Sequence, residues 1–345
     1  MEIIPSIQEP LREGERRWNV LKQIWCGFND NSRLRLHDHI MISTYYVLKA
    51  IKSGRLKPGT NIREYLGLPK DIIVYMDSGG FSLLNRGMLL DIDPQKIAEI
   101  QQGASPDVAF VLDYPLDSRS SCNTIQKLLK KNHELAKLFL RLYRGSRIKL
   151  FGVIHALSEE DAEKEVSFYE SLEVQGRTFD GYGIGSLVKR KNNYRSILSI
   201  VKTVRKLTYK PVHVFGISSM KIIYAFAKIG ITSFDSFAFL RAAMYRELIL
   251  PQILKRIKLH NIKHGKRVMS SSIPCCCPMC LKANSLGGVK YYARKGSIPS
   301  AELAVHNLIV IINEVKLINE ALANGWFDDL LKERGLEQFF NDLNI

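Results

Sequence analysis

Short runs of apolar, β-branched and aromatic residues alternate along the chain with longer stretches in which apolar positions recur every three or four residues. The short runs are IVYM before Asp77, VAFVL before Asp113, LFGVI before His155, YGIGSL at 182–187, VHVFGI at 212–217 and TSF before Asp235. The longer stretches, at 124–143, 159–172, 194–207 and 219–229, carry the helical period. Near-continuous apolar strands separated by helices predict a parallel sheet covered on both faces. Polar or glycine-rich residues stand at the C-terminal end of strand after strand, where α/β barrels and doubly wound sheets build their sites. Six such strands, with no GxGxxG after the first, favour a closed (β/α)8 TIM barrel.

From about residue 250 the pattern changes. KRIKLHNIKHGKR is basic and lacks a clean period; a cysteine cluster follows, and then a helical run with Leu308, Ile311, Ile312, Val315 and Ile318 on one face. Six cysteines in 345 residues are too few for a disulfide scaffold, and four fall within six positions, which points to metal. Cys275, Cys277 and Cys280 form C-x-C-x-x-C, and His306 follows after 25 intervening residues. Three thiolates and one imidazole make a closed tetrahedral Zn2+ site, structural because no position is left for water. Surface thiols beside an ordinary helix histidine are the alternative. Cys276 is left out, because the middle residue of a tight C-x-C turn points away from the metal.

The net charge of +16, from 50 basic against 34 acidic side chains, favours a polyanionic partner such as nucleic acid. KRKNNYR at 189–195, the stretch 255–267 and KYYARK at 290–295 could track phosphates or be solvated helix faces. No apolar run reaches the roughly eighteen residues that cross a bilayer, and MEIIPSIQEPLREGERR has no signal core, so no membrane partner and a cytoplasmic location are expected.

Asp77, Asp113 and Asp235 each end a predicted strand, a placement that brings all three to one mouth of a barrel. An acid at a strand-to-helix turn is as commonly an N-cap. Three together, one followed by Gly79 and Gly80, shift the balance toward a site.

DSGGF at 77–81, DVAFVLDYP at 107–115, IGSL at 184–187, PVHVFGI at 211–217, FDSFAFLR at 234–241 and the cysteines with HNL at 306–308 occur in an order that resembles the tRNA-guanine transglycosylases. PVHVFGI and MISTYYVLKAI are more similar to the archaeal, archaeosine-type catalytic domain than to the bacterial queuine type. The resemblance implies an N-terminal extension at 1–37, a TIM barrel at 38–325 including a zinc-binding subdomain at about 250–312, and a helical tail at 326–345. It implies a pentosyltransferase that exchanges a guanine in a polynucleotide for a free 7-deazaguanine base such as preQ0. Asp235 matches the nucleophile, Asp77 the general acid/base, Asp113 the carboxylate that reads the base edge and Phe81 the aromatic that stacks on the base. Arg241 matches the arginine six residues beyond the nucleophile, the four zinc ligands match one for one, and Ser78, Gly79, Gly80, Gly185 and Ser186 fall in substrate-binding motifs. Gly79 and Gly80, lacking Cβ, are expected to admit the flat base close to the backbone.

Three departures bear on the substrate. His155, Ala156 and Leu157 stand where the family has Gln-Gly-Gly, so His155 is expected to replace the glutamine as a donor to the base or to mark a different base; a satisfied buried histidine is the alternative. Gly185-Ser186-Leu187 replaces two glycines and an aliphatic residue, and Ser82 stands for a common glutamine. The chain stops at Ile345 without the RNA-binding module usual in archaeal relatives. That absence resembles the DNA-guanine transglycosylases and favours DNA, with tRNA as the alternative. A non-catalytic nucleic-acid-binding subunit is a further alternative, against which Asp77 and Asp235 argue. A bacterial, archaeal or virus-encoded source fits, and a homodimer stays open.

Overall fold

Eight parallel strands close into a barrel in chain order: β1 (Glu2–Ile7), β2 (His39–Ser43), β3 (Ile73–Asp77), β4 (Val108–Phe110), β5 (Lys149–Ile154), β6 (Gly181–Ile184), β7 (Val212–Val214) and β8 (Ser233–Ser236), with β8 returning to β1. The computed structural model describes residues 1–7, 15–28, 35–88, 91–190, 193–251, 255–259, 272–294 and 296–343. The chain is a (β/α)8 TIM barrel, as its strand and helix pattern predicts.

The first two strands were not among the six read from the apolar runs. β1 lies inside the stretch expected as an N-terminal extension at 1–37, and that expectation is corrected: residues 2–7 are a barrel strand. Pro5 interrupts the run and carries no N–H for a ladder, so locally the segment reads as a breaker. What makes it a strand is pairing across the whole chain, Ile3 with Phe234 and Ile4 with Asp235.

Side-chain caps set several of the intervening helices. Ser121 accepts from Thr124 N–H to start Cys122–Leu142, Ser158 from Asp161 N–H to start Glu159–Ser171, and Asn193 from Ser196 N–H to start Tyr194–Leu207. Tyr194–Leu207 then buries Ile197, Leu198, Ile200, Val201 and Val204, one apolar face, and packs between Glu159–Ser171 and Met220–Ile229.

Inside the barrel, Ile4, Met41, Val108, Phe110, Phe151 and Val153 pack together with Tyr75 and Phe215. The lumen is therefore filled by side chains at this level. After β8 come the helix Ala238–Met244 and an antiparallel pair, β9 (Glu247–Ile249) with β10 (Arg256–Lys258). The helices Pro278–Ser285 and Val289–Ala293 precede the long helix Ser297–Asn324, which packs on Ala238–Met244 and on Arg16–Leu21. Phe327–Glu333 and Glu337–Leu343 follow as two short helices. Among the described residues no helix is long and apolar enough to cross a membrane.

Candidate active site

At the C-terminal ends of the strands a cavity of about 300 Å3 is lined by Asp77, Asp113 and Asp235. Ten of the eleven residues expected in the site line it: these three acids with Ser78, Gly79, Gly80, Phe81, Gly185, Ser186 and Arg241. His155 does not.

None of the three acids caps a helix. Asp77 ends β3 opposite Ser43 of β2, and its Oδ1 accepts from Ser43 Oγ at 2.8 Å and from Gly79 N–H at 2.6 Å. Thr44 Oγ1 donates to the Asp77 carbonyl and ties down the backbone. Asp113 Oδ1 accepts from Ser78 Oγ at 3.0 Å, and Asp235 Oδ1 accepts from Gly216 N–H at 2.6 Å. The helix Cys122–Leu142 takes its cap from Ser121, and Ser236 Oγ, not Asp235, meets Ala238 N–H.

Asp77 is pushed up to about 7, first by burial and then by the charges of Asp235 and Asp113, against the lowering effect of its bonds from Ser43 and Gly79. A carboxyl that titrates near neutrality can both give and take a proton. Phe81 is 44% exposed and faces the cavity with Phe215 and Tyr46.

The two glycines of DSGGF have a nearer cause than the approach of a base. Gly79 has φ 78°, and a Cβ there would lie 2.7 Å from Tyr45 N and Cβ. A Cβ on Gly80 would lie 2.5 Å from the Asp113 carbonyl oxygen. Their first role is to let β3 turn tightly against β2 and β4, so that Asp77, Ser78 and Asp113 meet.

His155 is also corrected. It is fully buried behind the cavity, with Nε2 3.1 Å from Asp113 Oδ2 and Nδ1 2.7 Å from Ser186 Oγ. A Cβ on Gly185 would lie 2.5 Å from His155 Cε1, so this glycine makes room for the ring. His155 thus lies against Asp113 and not at the cavity wall.

The sequence reading missed His213 although it quoted the motif that contains it. His213, in the middle of β7, is fully buried, with Nδ1 2.9 Å from Ser233 Oγ and Nε2 3.7 Å from Asp235 Oδ1. A histidine within a fully apolar strand was the available signal. Ser43 and Thr44 were missed as well, because strand-end polar residues other than acids draw no attention in a sequence, and so were Phe215 and Gly216.

In the first basic stretch the structure gives partners to two arginines. Arg190 donates to the Leu157 carbonyl and to Ser196 Oγ, and Arg195 to the Asp342 carbonyl, so both are held by the protein. Residues 191–192, 260–267 and 295, and the side chain of Lys189, lie outside the described residues.

Away from the cavity, Cys275, Cys277, Cys280 and His306 bring one ligand atom each within 4.8 Å of one another. Cys280 and His306 are fully buried, whereas Cys276 is exposed. His306 Nδ1 lies 3.1 Å from Cys280 Sγ and 3.4 Å from Cys277 Sγ, while Nε2–H donates to the Ile249 carbonyl at 2.9 Å. A ligating imidazole fixed through its other nitrogen by a backbone carbonyl is a common metal arrangement. The donor set fits a metal ion; it joins the start of the helix Pro278–Ser285 to the long helix, which the His306 bond ties in turn to β9. Asn307 strengthens the same junction, accepting from Ile249 N–H and donating to the Glu247 carbonyl. Glu2, His37 and His39 also converge at the opposite end of the barrel. There His37 Nε2–H is committed to the Ile3 carbonyl, and Lys316 lines the same cavity, both unfavourable to a cation.

Comparison with known proteins agrees with this geometry. Residues 29–339 match the family described as Queuine tRNA-ribosyltransferase. The tRNA-guanine(15) transglycosylase of Methanococcus aeolicus is 26% identical over 306 residues, covering 87% of this chain and 44% of the relative. That of Methanocaldococcus jannaschii is 26% identical over 308 residues, with the same coverage of 87% and 44%. That of Korarchaeum cryptofilum is 23% identical over 311 residues, covering 86% and 48%. The chain thus spans about half the length of these curated relatives. With the match running through all the strands from β2 to β8 and through the cysteine group, the chain belongs to the queuine tRNA-ribosyltransferase family.

Proposed function

We propose that the chain is a guanine transglycosylase that exchanges a guanine in tRNA for a 7-deazaguanine base. The observation that carries this is the meeting of three strand-end carboxylates and an exposed Phe81 around one cavity, whose volume of about 300 Å3 suits a single base.

Phe81 offers a face on which a purine stacks, and Asp113 accepts from the N–H groups of its edge. Asp235 attacks the ribose C1′ as the glycosidic C–N bond breaks, and the electron pair of that bond leaves with guanine. Asp77, protonated at this point, supplies the proton that makes guanine a competent leaving group. The result is a covalent glycosyl ester on Asp235, as in retaining glycosidases. In the second half the Asp77 carboxylate takes a proton from the incoming base, whose nitrogen attacks C1′ and releases Asp235. The two displacements restore the configuration at C1′ and return Asp77 to its protonated form.

The choice of polymer changes from the sequence expectation. DNA was favoured there, but the relatives reported above are named for guanine 15 of tRNA, and that supports tRNA for this chain. Incubation with labelled guanine and, separately, tRNA and duplex DNA tests this. Label is expected in tRNA alone; label in DNA alone returns the reading to DNA, and binding of both polymers without label in either favours a non-catalytic subunit.

The metal held by Cys275, Cys277, Cys280 and His306 is proposed to be zinc, which supplies cohesion rather than chemistry because all four positions are taken by protein. Freshly purified protein is expected to contain about one zinc per chain. Cys280→Ser should lose it and lower the unfolding temperature, since structural zinc contributes on the order of 10 kcal/mol in small peptides. Wild-type protein free of zinc, with unchanged unfolding after chelation, would remove the assignment.

A further inference from the structure

We propose that His155 and His213 are positioning residues, each donating Nε2–H to one cavity carboxylate, His155 to Asp113 and His213 to Asp235. The assignment of what those carboxylates then do rests on the transglycosylase reading above.

Both rings are fully buried, and both Nε2 atoms have no hydrogen-bond partner among the described residues. Each faces an acid, at 3.1 Å for His155 and 3.7 Å for His213. A buried polar atom left unpaired is costly, so two of them aimed at two carboxylates of one cavity call for an explanation. Catalytic hydrogen bonds are often long or misaligned without substrate and tighten when it binds.

For His155 the opposite edge of the ring decides the tautomer. Ser186 Oγ already accepts from Leu116 N–H at 2.7 Å, so its own proton is available to His155 Nδ1, also at 2.7 Å. With Nδ1 accepting, the neutral ring carries its proton on Nε2. Ser233 Oγ lies 2.9 Å from His213 Nδ1 and can donate to it, so there the tautomer is set from the Nε2 side. A lone pair on Nε2 aimed at a carboxylate would be repelled, so the same tautomer is favoured there.

Packing holds both rings in place. His213 lies between Phe110 and Phe215, with centroids 5.2 and 4.6 Å away. His155 fills the space that Gly185 leaves. Ser186 has φ 62°, a left-handed conformation unfavourable to a residue with a Cβ, and its Oγ links Leu116 to His155 from that position. Asp77 is held instead by a serine hydroxyl and a backbone amide. Two acids that must stay oriented are thus backed by imidazoles, and the acid that exchanges protons is not.

Nitrogen-15 NMR of histidine-labelled, full-length protein reads the tautomers directly, without substrate. Nε2–H is expected in both rings; Nδ1–H in either would overturn the proposal for that ring. In exchange assays His155→Ala should raise KM for the free base about tenfold or more, while the rate of covalent-adduct formation changes little. His213→Ala should slow adduct formation about tenfold or more with KM for the base unchanged. His155→Gln and His213→Gln keep a side-chain N–H and should recover most of each loss. Wild-type kinetics in both alanine variants, or losses that follow the fall in unfolding temperature and are not recovered by glutamine, would defeat it. A wild-type chain that exchanges base into no polymer would count against the transglycosylase reading, and the tautomers would still decide the two hydrogen bonds.

Discussion

Asp235→Asn is expected to abolish the covalent adduct between protein and polynucleotide and to lower base exchange by at least about a thousandfold, roughly 4 kcal/mol of barrier. The substitution is nearly isosteric, and its Oδ1 can still accept the Gly216 N–H that positions Asp235 at 2.6 Å. The turn after β7, where Gly216 has φ 68°, should keep its shape, so any loss is chemical rather than structural. What disappears is the second oxygen and the charge, and a neutral amide does not displace a purine from C1′. The check is trapping of labelled tRNA on the protein, read on a denaturing gel, beside an unfolding curve that should match wild type. An adduct that persists in the variant would mean that another group is the nucleophile.

The position of that aspartate was readable because a parallel barrel writes its site at a regular place, the first polar residue after each apolar run. That rule, with the pair Gly79 and Gly80, singled out Asp77, Asp113 and Asp235, while their roles came from the family resemblance. The Cys3His group that could hold a metal was picked out by spacing, and Cys276, left out of it, is exposed. What the rule misses is anything that depends on which way a strand residue points. β7 is three residues long, too short for alternation to declare whether His213 faces the lumen. Its value appears only when β7 and β8 pair, His213 beside Ser233, and bring the ring beneath Asp235. β1 was hidden for a similar reason, since its partner β8 lies more than two hundred residues away and Pro5 breaks its local signal. Gly79, Gly80 and Gly185 were seen as important, yet their first cause is the approach of Tyr45, Asp113 and His155, which no local sequence window contains.

Asp77→Asn separates chemistry from stability, because the two should move in opposite directions. Exchange should fall about 100- to 10,000-fold, the usual contribution of a positioned proton donor and acceptor. Stability should rise above neutrality. The wild-type carboxyl is raised from 3.8 to about 7 by burial and by the neighbouring acids. Between those two values the folded state binds a proton that the unfolded state does not, so the group's contribution to stability falls as pH rises through that window, by up to about 1.4 kcal/mol per pH unit. Below about pH 4 both states are protonated and the neutral amide should give little advantage; above about pH 7 it should give the most. Asn keeps an oxygen to accept from Ser43 and Gly79, so the loop is not sacrificed. Unfolding midpoints of wild type and variant at pH 5, 7 and 8.5 are the measurement, and curves that stay parallel would show that Asp77 is not raised. In the wild type the same titration should divide the reaction. Adduct formation, which needs the protonated acid, should slow above about pH 7, and adduct resolution by the incoming base, which needs the carboxylate, should slow below it.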